Sequence, residues 1–287
     1  MFSKSFYCYD DHMPEIVVVK RSGEREPFSE KKVFRSMSRV GVPDNLRHEV
    51  MQEIKKDLQG EITTDEIYQR IVNFLEPRDR KSSLRFNLRQ AIFELGPTGF
   101  PFEQYLARIF RDQGYSVEVG ITMRGDCVSH EIDLLLMKNN TRQIVEAKFH
   151  NSHSTKSDVQ TALYTYARFL DVKQKNDIDN VWLITNTKLS QDATAYTQCK
   201  GVPAIAWNYP GEGNLHDLVE DPQMYPVTIL NSLSETEKKR LIEKDIVLCR
   251  DLLEKKDEAF QDVLINKENL ERAKQDAEMI CPLPQKS

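Results

Sequence analysis

Two neighbouring apolar segments, 130–137 (HEIDLLLM) and 142–150 (RQIVEAKFH), constrain the fold of this chain more than any other feature. Apolar residues occupy both alternating sets of positions in the first segment, which predicts a β-strand with both faces buried. The connection Lys138-Asn139-Asn140-Thr141 is short and typical of a β-hairpin turn. The pattern therefore predicts two adjacent antiparallel strands in a covered sheet.

Three charged side chains interrupt these strands. Side chains two apart on a strand share a face, so Glu146 and Lys148 point the same way, and Asp133 can join them from the adjacent strand. Burying two carboxylates without a role is costly. Asp133 and Glu146 are suitable oxygen ligands for Mg²⁺ or Mn²⁺, which could polarise a phosphate and activate a water. Lys148 could orient that water or stabilise developing charge.

This pattern resembles the PD-(D/E)xK nuclease superfamily, with Asp133 preceding Glu146-Ala147-Lys148 and without the proline of the superfamily's name. Hydrophobic periodicity gives a matching order of elements around the hairpin. These are a helix (102–110), a strand (115–121), the hairpin itself, a second helix (159–170), a buried strand (181–185), a helix (190–199) and a strand (203–207). The resemblance implies an αβββαβ core in which helices cover a partly parallel sheet.

Similarity to the Mrr-like restriction branch of this superfamily implies roles for two helical residues. Glu103 follows Phe102 on the first helix, where a Glu assists the metal site, and Gln160 lies beside Val159 on the second, where a Gln supports the active site. The alternatives are a Glu favoured by the helix dipole and an ordinary solvent-facing Gln. The apolar face of the second helix is predicted to comprise Val159, Ala162, Leu163, Tyr166 and Leu170.

The N-terminal third contains a second cluster of charged residues. Residues 15–20 predict a strand, Arg21-Ser22-Gly23-Glu24 a turn, and Ser29 the cap of a helix. The stretch 17–33 (VVVKRSGEREPFSEKKV) resembles the opening of an ATP cone, the nucleotide-sensing domain at the front of ribonucleotide reductases. A further match is 62–75 (ITTDEIYQRIVNFL), where Thr64 is predicted to cap a helix.

Phosphate binding at this cluster also has a physical basis. Lys20, Arg21 and Lys32 are cations, and helix starts at Ser29 and Thr64 attract anions. The alternative is a small helical domain with a solvated basic turn. By resemblance, the residues that line the nucleotide site are Val19, Lys20, Arg21, Glu26, Phe28, Ser29, Lys32, Val33 and Thr64. No Walker-type phosphate loop is present, so ATP or dATP is expected to be sensed rather than hydrolysed.

Both resemblances together predict a multi-domain α/β protein. A mainly helical ATP cone with a small β-hairpin is expected over 14–97, the nuclease domain over 98–225 and a helical region over 226–287. The sequence 96–99 (GPTG) is the expected joint between the first two. Before it, the basic stretch Arg78, Arg80, Lys81, Arg85 and Arg89 either contacts DNA or another subunit or is a solvated helix face.

The C-terminal region is predicted to begin with a capping box formed by Ser234 and Glu237. The apolar spacing that follows, with a break near Lys244-Asp245, resembles a helix-hairpin-helix without its usual glycine. A charged helix is then predicted from Glu254 to Glu278.

Composition narrows the location and class of the protein. With 39% hydrophobic and 30% charged residues, no run long enough to cross a membrane and no apolar signal-peptide core in 1–13, a cytoplasmic protein without a membrane partner is expected. Five scattered cysteines agree with a reducing compartment. A zinc site at Cys127, His130, His150 and His153 is an alternative metal centre.

The sequence thus predicts a Mg²⁺- or Mn²⁺-dependent DNA endonuclease of the Mrr-like restriction type, regulated by ATP or dATP. A homo-oligomer is expected because cones in the resembling families change how subunits pair. The net charge of −5 permits this, since a nuclease needs only a local basic groove. The alternative is a nucleotide-responsive DNA-binding regulator whose nuclease fold does not cleave.

Overall fold

The structure, a computed structural model, describes residues 16–56 and 60–282. They fall into two units, Met1–Phe86 and Asn87–Ser287. Glu15, predicted to begin the first strand, Pro14, and the 1–13 segment lie outside the described residues. The predicted mixed α/β class is confirmed, with a helical first unit that carries a small sheet, a central sheet core and a helical C-terminal region.

The first unit consists of a small sheet packed against helices. Its elements are β1 (Val17–Val19), β2 (Arg25–Pro27), α1 (Glu30–Arg39), α2 (Asp44–Lys55), β3 (Glu61–Thr63), α3 (Thr64–Leu75) and α4 (Arg80–Phe86). The strand order is β2-β1-β3, with β2 antiparallel and β3 parallel to β1. Gly23, at φ 80°, makes the predicted turn between β1 and β2. Met37, Ile54 and Leu75 are fully buried in the core that the helices share.

The two predicted helix caps of this unit have different outcomes. Ser29 caps α1 as expected, since its hydroxyl accepts from the backbone N–H of Lys32. The prediction that Thr64 caps α3 is wrong, because Thr63 is the cap and Thr64 is the first helical residue. Thr63 accepts from Glu66 N at 3.1 Å, and the Glu66 carboxylate accepts from Thr63 N at 2.7 Å. This reciprocal capping box satisfies two backbone donors, which a cap at Thr64 would not.

The second unit is built on a five-stranded mixed sheet. Its first elements are α5 (Leu88–Phe93), α6 (Phe100–Asp112), β4 (Ser116–Arg124), β5 (Ser129–Lys138), β6 (Thr141–Lys148), β7 (Lys156–Ser157), α7 (Val159–Lys173), β8 (Asn180–Thr185), β9 (Lys188–Leu189), α8 (Gln191–Lys200) and β10 (Ala204–Ile205). The strand order is β10-β8-β6-β5-β4, with β7 and β9 paired separately. The β4, β5 and β6 strands are antiparallel, whereas β6, β8 and β10 are parallel.

The hairpin between β5 and β6 forms as predicted. Asn139 and Asn140 have φ values of 51° and 60°, which suit a two-residue turn with the twist of the flanking strands. Leu134 and Val145 on one face, and Leu135 and Ile144 on the other, are almost completely buried. Both faces of the hairpin are therefore covered, as the apolar runs indicated.

The apolar face predicted for α7 is only partly correct. Ala162 is buried, but Leu163 and Leu170 are 44% and 43% exposed. The helix instead buries Thr165, Phe169 and Val172 in addition to Ala162. The hydroxyl of Thr165 donates to the carbonyl of Thr161, so this polar residue can occupy a buried position that hydrophobic periodicity does not predict.

The C-terminal region completes the second unit with α9 (Leu215–Glu220), α10 (Glu235–Glu243), α11 (Cys249–Glu254) and α12 (Lys267–Ile280). The capping box of Ser234 and Glu237 is present at α10, and Asp245 adopts φ 55° at the predicted break. The prediction of one helix from Glu254 to Glu278 is wrong. A 3-10 segment follows α11, and α12 begins only after Asn266, whose side chain caps it.

Two arginine–aspartate pairs fix the C-terminal region to α6. Arg108 pairs with Asp251, and Arg250 pairs with Asp112 at 2.7 Å. The buried hydroxyl of Tyr105 also donates to the carbonyl of Met224 at 2.7 Å. Within the described residues, no helix is both long and apolar enough to cross a membrane.

The predicted joint and basic stretch make local contacts. Asn151 donates to the carbonyl of Pro97 at 2.9 Å, and a methyl group on Gly96 would lie 2.8 Å from the ring of Phe149. The guanidinium of Arg78 lies 3.9 Å from the Phe74 ring centroid. Arg89 lies over the rings of Phe93 and Trp207, so part of the basic stretch serves packing rather than an open cationic surface.

Candidate functional site

The sheet of the second unit is irregular at Asp133. The pairs Val119↔Leu134 and Ile121↔Ile132 flank Gly120, which has φ 63° and faces Asp133. On the other side, the register of β5 with β6 ends at Leu134↔Val145. Beyond that pair, Asp133 Oδ2 accepts from the backbone N–H of Ala147 at 2.7 Å. The carboxylate thus replaces a backbone contact where the strands stop pairing, and it lies directly beside Glu146.

Three carboxylates share this place. Glu103 from α6, Asp133 from β5 and Glu146 from β6 each have a raised pKa, and burial is the main cause in every case. The pKa of Glu103 rises to about 7, since the charges of Asp133, Glu131 and Glu146 add to its burial. A methyl group on Gly99 would lie 3.3 Å from Oε1 of Glu103, so this glycine makes room for the carboxylate. The structure therefore brings three predicted site residues together.

Arg168 on α7 was not predicted as a site residue. Its Nη1 donates to Oε2 of Glu146 at 2.5 Å, and its Nη2 donates to the hydroxyl of Tyr164 at 2.8 Å. The Arg168 and Glu146 side chains are 13% and 14% exposed. Tyr164 and Arg168 follow Gln160 at intervals of four residues, so all three share one helical stripe. That spacing, extended from Gln160, was the signal that could have identified the arginine.

The other two predicted site residues, Lys148 and Gln160, are exposed at the edge of the carboxylate cluster. Lys148, at the end of β6, is exposed, and Gln160, in the first turn of α7, is exposed as well. His150 follows on the loop after β6, where its ring contacts the Ser157 hydroxyl at 2.9 Å. Burial and then the charge of Lys148 lower the pKa of His150. An exposed amine beside partly buried carboxylates leaves the lysine open to a ligand from solvent.

The donor set fits a hard divalent cation held with the help of water. Among the described residues, no ion pair reaches Glu103 or Asp133, and Arg168 alone pairs with Glu146. Glu103, Asp133 and Glu146 are near enough to interact electrostatically, but among the described residues no three His, Cys, Asp or Glu side chains already converge so that they could hold a metal ion. Mg²⁺ does not need such a cluster, because it keeps several waters and binds through one or two carboxylates.

The alternative zinc site does not form. His130 contacts Asp171 at 2.7 Å, His150 contacts Ser157, and His153 contacts Gln90 at 3.1 Å. Cys127 is exposed, and its backbone N–H donates to Asp171. Because each histidine has a separate partner, no thiolate and imidazole set of the kind that zinc prefers is assembled in the described part of the chain.

The basic cluster of the first unit is organised around one carboxylate. Glu26 lies 2.9 Å from the amines of both Lys20 and Lys32. The hydrogen bonds from Lys32 and Lys20 lower the pKa of Glu26, and those to Glu26 and Glu24 raise the pKa of Lys20. Arg21 lies 2.5 Å from Asp65 in the first turn of α3. The structure thus brings the two predicted phosphate-binding lysines together.

The other residues predicted for the nucleotide site occupy different environments. Ser29 caps α1, Thr64 opens α3, and Val19 is half-buried. Phe28 is half-buried against the core of the unit, and Val33 is only 8% exposed within it. Val33 therefore belongs to the core of the unit and presents little surface to a ligand.

Family models match three consecutive parts of the chain. An ATP cone domain matches residues 16–89, and a restriction endonuclease domain of the Mrr catalytic type matches 97–207. A model described as AF1548-like, C-terminal, matches 225–281. The order of these matches agrees with the two resemblances seen in the sequence, and a restriction endonuclease domain after an ATP cone indicates a nuclease with nucleotide regulation.

Similar proteins have been found among known sequences and structures. An uncharacterized protein of Archaeoglobus fulgidus is 34% identical over 158 residues, which is 55% of this chain and 89% of the relative. The crystal structure of AF1548, a protein of unknown function, is 28% identical with a TM-score of 0.57, and covers 64% of this chain and 98% of its own. The MspJI restriction endonuclease with a 27-mer oligonucleotide reaches a TM-score of only 0.27, at 14% identity, over 48% of this chain and 28% of its own.

Proposed function

Since this chain belongs to the proteins that join an ATP cone to a restriction endonuclease domain and an AF1548-like C-terminal domain, we propose that it is a DNA endonuclease that requires Mg²⁺ or Mn²⁺ and responds to ATP or dATP. The observation that carries the proposal is the cluster of Glu103, Asp133 and Glu146. Three carboxylates with raised pKa values lie beside an exposed lysine, and among the described residues only Glu146 has an ion-pair partner, the largely buried Arg168.

Asp133 and Glu146 would hold the metal, and Glu103 lies close enough to influence both electrostatically. A bound Mg²⁺ or Mn²⁺ supplies charge neutralisation at a phosphate and a lowered pKa for a bound water. Glu103, whose pKa is about 7, can accept or release a proton near neutral pH. Lys148 would donate to the attacking water or to the phosphate oxygen on which charge develops.

The cone would act as a sensor. Lys20 and Lys32 already point at one acidic group, Glu26, so a polyphosphate could take the place of that partner without large movement of either chain segment. Ligand binding influences an enzyme only if the ligand prefers one of two states. We expect those states to differ in oligomeric assembly and in cleavage rate.

The direct test is plasmid cleavage by the full chain. Mg²⁺ or Mn²⁺ should convert supercoiled DNA to nicked or linear forms, and excess chelator should stop the reaction. ATP and dATP should change both the cleavage rate and the mass measured by light scattering. Metal-dependent DNA binding without any cleavage would replace this function with that of a nucleotide-responsive DNA-binding regulator. If saturating nucleotide alters neither mass nor rate, the regulatory half is wrong.

A further inference from the structure

The guanidinium of Arg168 is largely buried and connects α7 to the carboxylate cluster through two hydrogen bonds. One arm, Nη1, donates to Oε2 of Glu146, and the other, Nη2, donates to the Tyr164 hydroxyl. The guanidinium carbon also lies 4.6 Å from the centroid of the Tyr164 ring. Tyr164 therefore contacts the guanidinium through both its hydroxyl and its ring, in addition to the bond with Glu146.

Stability alone does not account for this pair. Removing two charges from water carries a large desolvation cost, and apolar replacements for a buried ion pair are often at least as stable. Arg168 also leaves its Nε buried without a hydrogen-bond partner among the described residues. Among the described residues, Glu146 therefore has a cation as its ion-pair partner, whereas Asp133 and Glu103 do not.

We propose that Arg168 is a positioning residue that fixes the orientation of Glu146 for a divalent cation, an inference that rests on the proposed metal-dependent function. The arginine engages Oε2, so Oε1 of Glu146 would remain available to a cation. Carboxylates that bind metals are themselves hydrogen-bonded, and losing such a partner typically weakens metal binding by about 10- to 100-fold.

Tyr164 supports the arginine in this arrangement. Its ring is 54% exposed, but its hydroxyl accepts from Nη2 of Arg168 and fixes the plane of the guanidinium. A planar fork that is pre-organised loses less freedom when it binds a carboxylate. Removing the hydroxyl alone should therefore weaken metal binding less than removing the arginine.

Isothermal titration of the full chain with Mn²⁺ tests the proposal independently of cleavage. Arg168→Ala should raise the Mn²⁺ dissociation constant about 10- to 100-fold. Arg168→Lys should recover part of that loss, because it restores the charge but not the fork. Lys173→Met is the matched control, since this exposed cation of the same helix lies over Phe169 rather than at the cluster, and it should bind Mn²⁺ like the wild type.

Plasmid cleavage at increasing Mn²⁺ separates positioning from general damage. The rate of Arg168→Ala should approach that of the wild type at high Mn²⁺, because only the metal requirement has changed. If Arg168→Ala does not fold, Tyr164→Phe and Arg168→Lys carry the test, and both should show weaker Mn²⁺ binding with normal melting.

Unchanged or tighter Mn²⁺ binding in the folded Arg168 variants would overturn the inference and leave the nuclease assignment intact. A wild-type chain that binds Mn²⁺, depends on Arg168 for it and yet never cuts DNA would support the inference and reject the proposed enzyme. A wild-type chain that does not bind Mn²⁺ would reject both.

Discussion

The two charged clusters of this protein balance charge in opposite ways. In the first unit, one carboxylate, Glu26, has two lysines as partners, and all three side chains are partly open to water. In the second unit, three partly buried carboxylates lie together, and among the described residues only Glu146 forms an ion pair, with Arg168. Solvent and neighbours therefore satisfy the first cluster without a ligand, whereas the second is short of positive charge.

The pKa shifts follow this difference. Hydrogen bonds from lysines lower the pKa of Glu26, so its ionised form is favoured. Burial raises the pKa of Glu103, Asp133 and Glu146, so their ionised forms are disfavoured. A polyphosphate bound at the cone would therefore have to displace an internal partner, whereas a divalent cation at the sheet would relieve an existing repulsion.

The largest effect is expected from substitution of Asp133 or Lys148 in the second unit. Asp133→Asn and Lys148→Met should each lower plasmid cleavage by at least about 100-fold, because metal and charge stabilisation supply several kcal/mol to such reactions. Their melting temperatures should not fall, since an amide at 133 can still accept from Ala147 N. Glu118→Gln and Lys173→Met, which change exposed charges elsewhere, should cleave normally. Full cleavage activity in either the Asp133 or the Lys148 variant would show that this is not the site of cleavage.

A smaller effect is expected at the cone. At a concentration of about 100 times its dissociation constant, ATP or dATP should stabilise the folded wild type by about 2.7 kcal/mol. The double variant Lys20→Ala and Lys32→Ala should lose the corresponding rise in melting temperature, because both phosphate partners are gone. Arg25→Ala, which removes an exposed cation paired with Glu61, is the control and should keep the shift. Equal shifts in all three proteins would exclude this nucleotide site.

A pH-dependent difference should follow from Glu103. Its folded-state pKa of about 7 lies above the ordinary 4.5, so between these values the metal-free folded protein binds more protons than the unfolded chain. The free energy of unfolding should therefore decrease as the pH rises through this range, by no more than about 1 kcal/mol after solvent screening. Glu103→Gln should flatten that slope in chemical denaturation without metal. An unchanged slope would mean that Glu103 is not perturbed as described.

The smallest effect, of opposite sign, is expected at Glu26. Because its two ion pairs are partly exposed, Glu26→Gln should lower the free energy of unfolding by less than about 1 kcal/mol near neutral pH. At the same pH, Glu103→Gln should leave the metal-free protein as stable or more stable, since it removes charge from a crowded cluster. The same signs for both substitutions, measured by urea unfolding, would contradict the contrast between the clusters.

Local sequence rules predicted the elements that depend on neighbouring residues. The hairpin at Asn139-Asn140 and the cap at Ser29 follow from turn and capping chemistry within a few residues. The same rules, applied more strictly, would have chosen Thr63 instead of Thr64, because Glu66 stands three residues after Thr63. The residues that decide where α3 begins, Thr63 and Glu66, therefore lie within three positions of each other in the sequence.

Other features depended on packing that no local rule contains. Thr165 is buried and Leu163 is exposed on α7, although apolar periodicity predicts the reverse. The start of α12 after Asn266 and the break before it likewise depend on contacts such as that of Asn269 with Glu237. A helix settles with the face that fits its neighbours, and a single polar residue inside costs little when its hydroxyl has a partner.

The strands that carry Asp133, Glu146 and Lys148 could be predicted from the sequence, as could the order of helices and strands around them and the basic residues of the cone. Each of these depends on periodicity or on spacing along the chain. The resemblance had also pointed to Glu103, but the meeting of Lys20 and Lys32 at Glu26 and the pairing of Arg168 with Glu146 are visible only in the folded chain. Charges separated by many residues acquire partners and altered pKa values only when folding brings them together and removes the water between them.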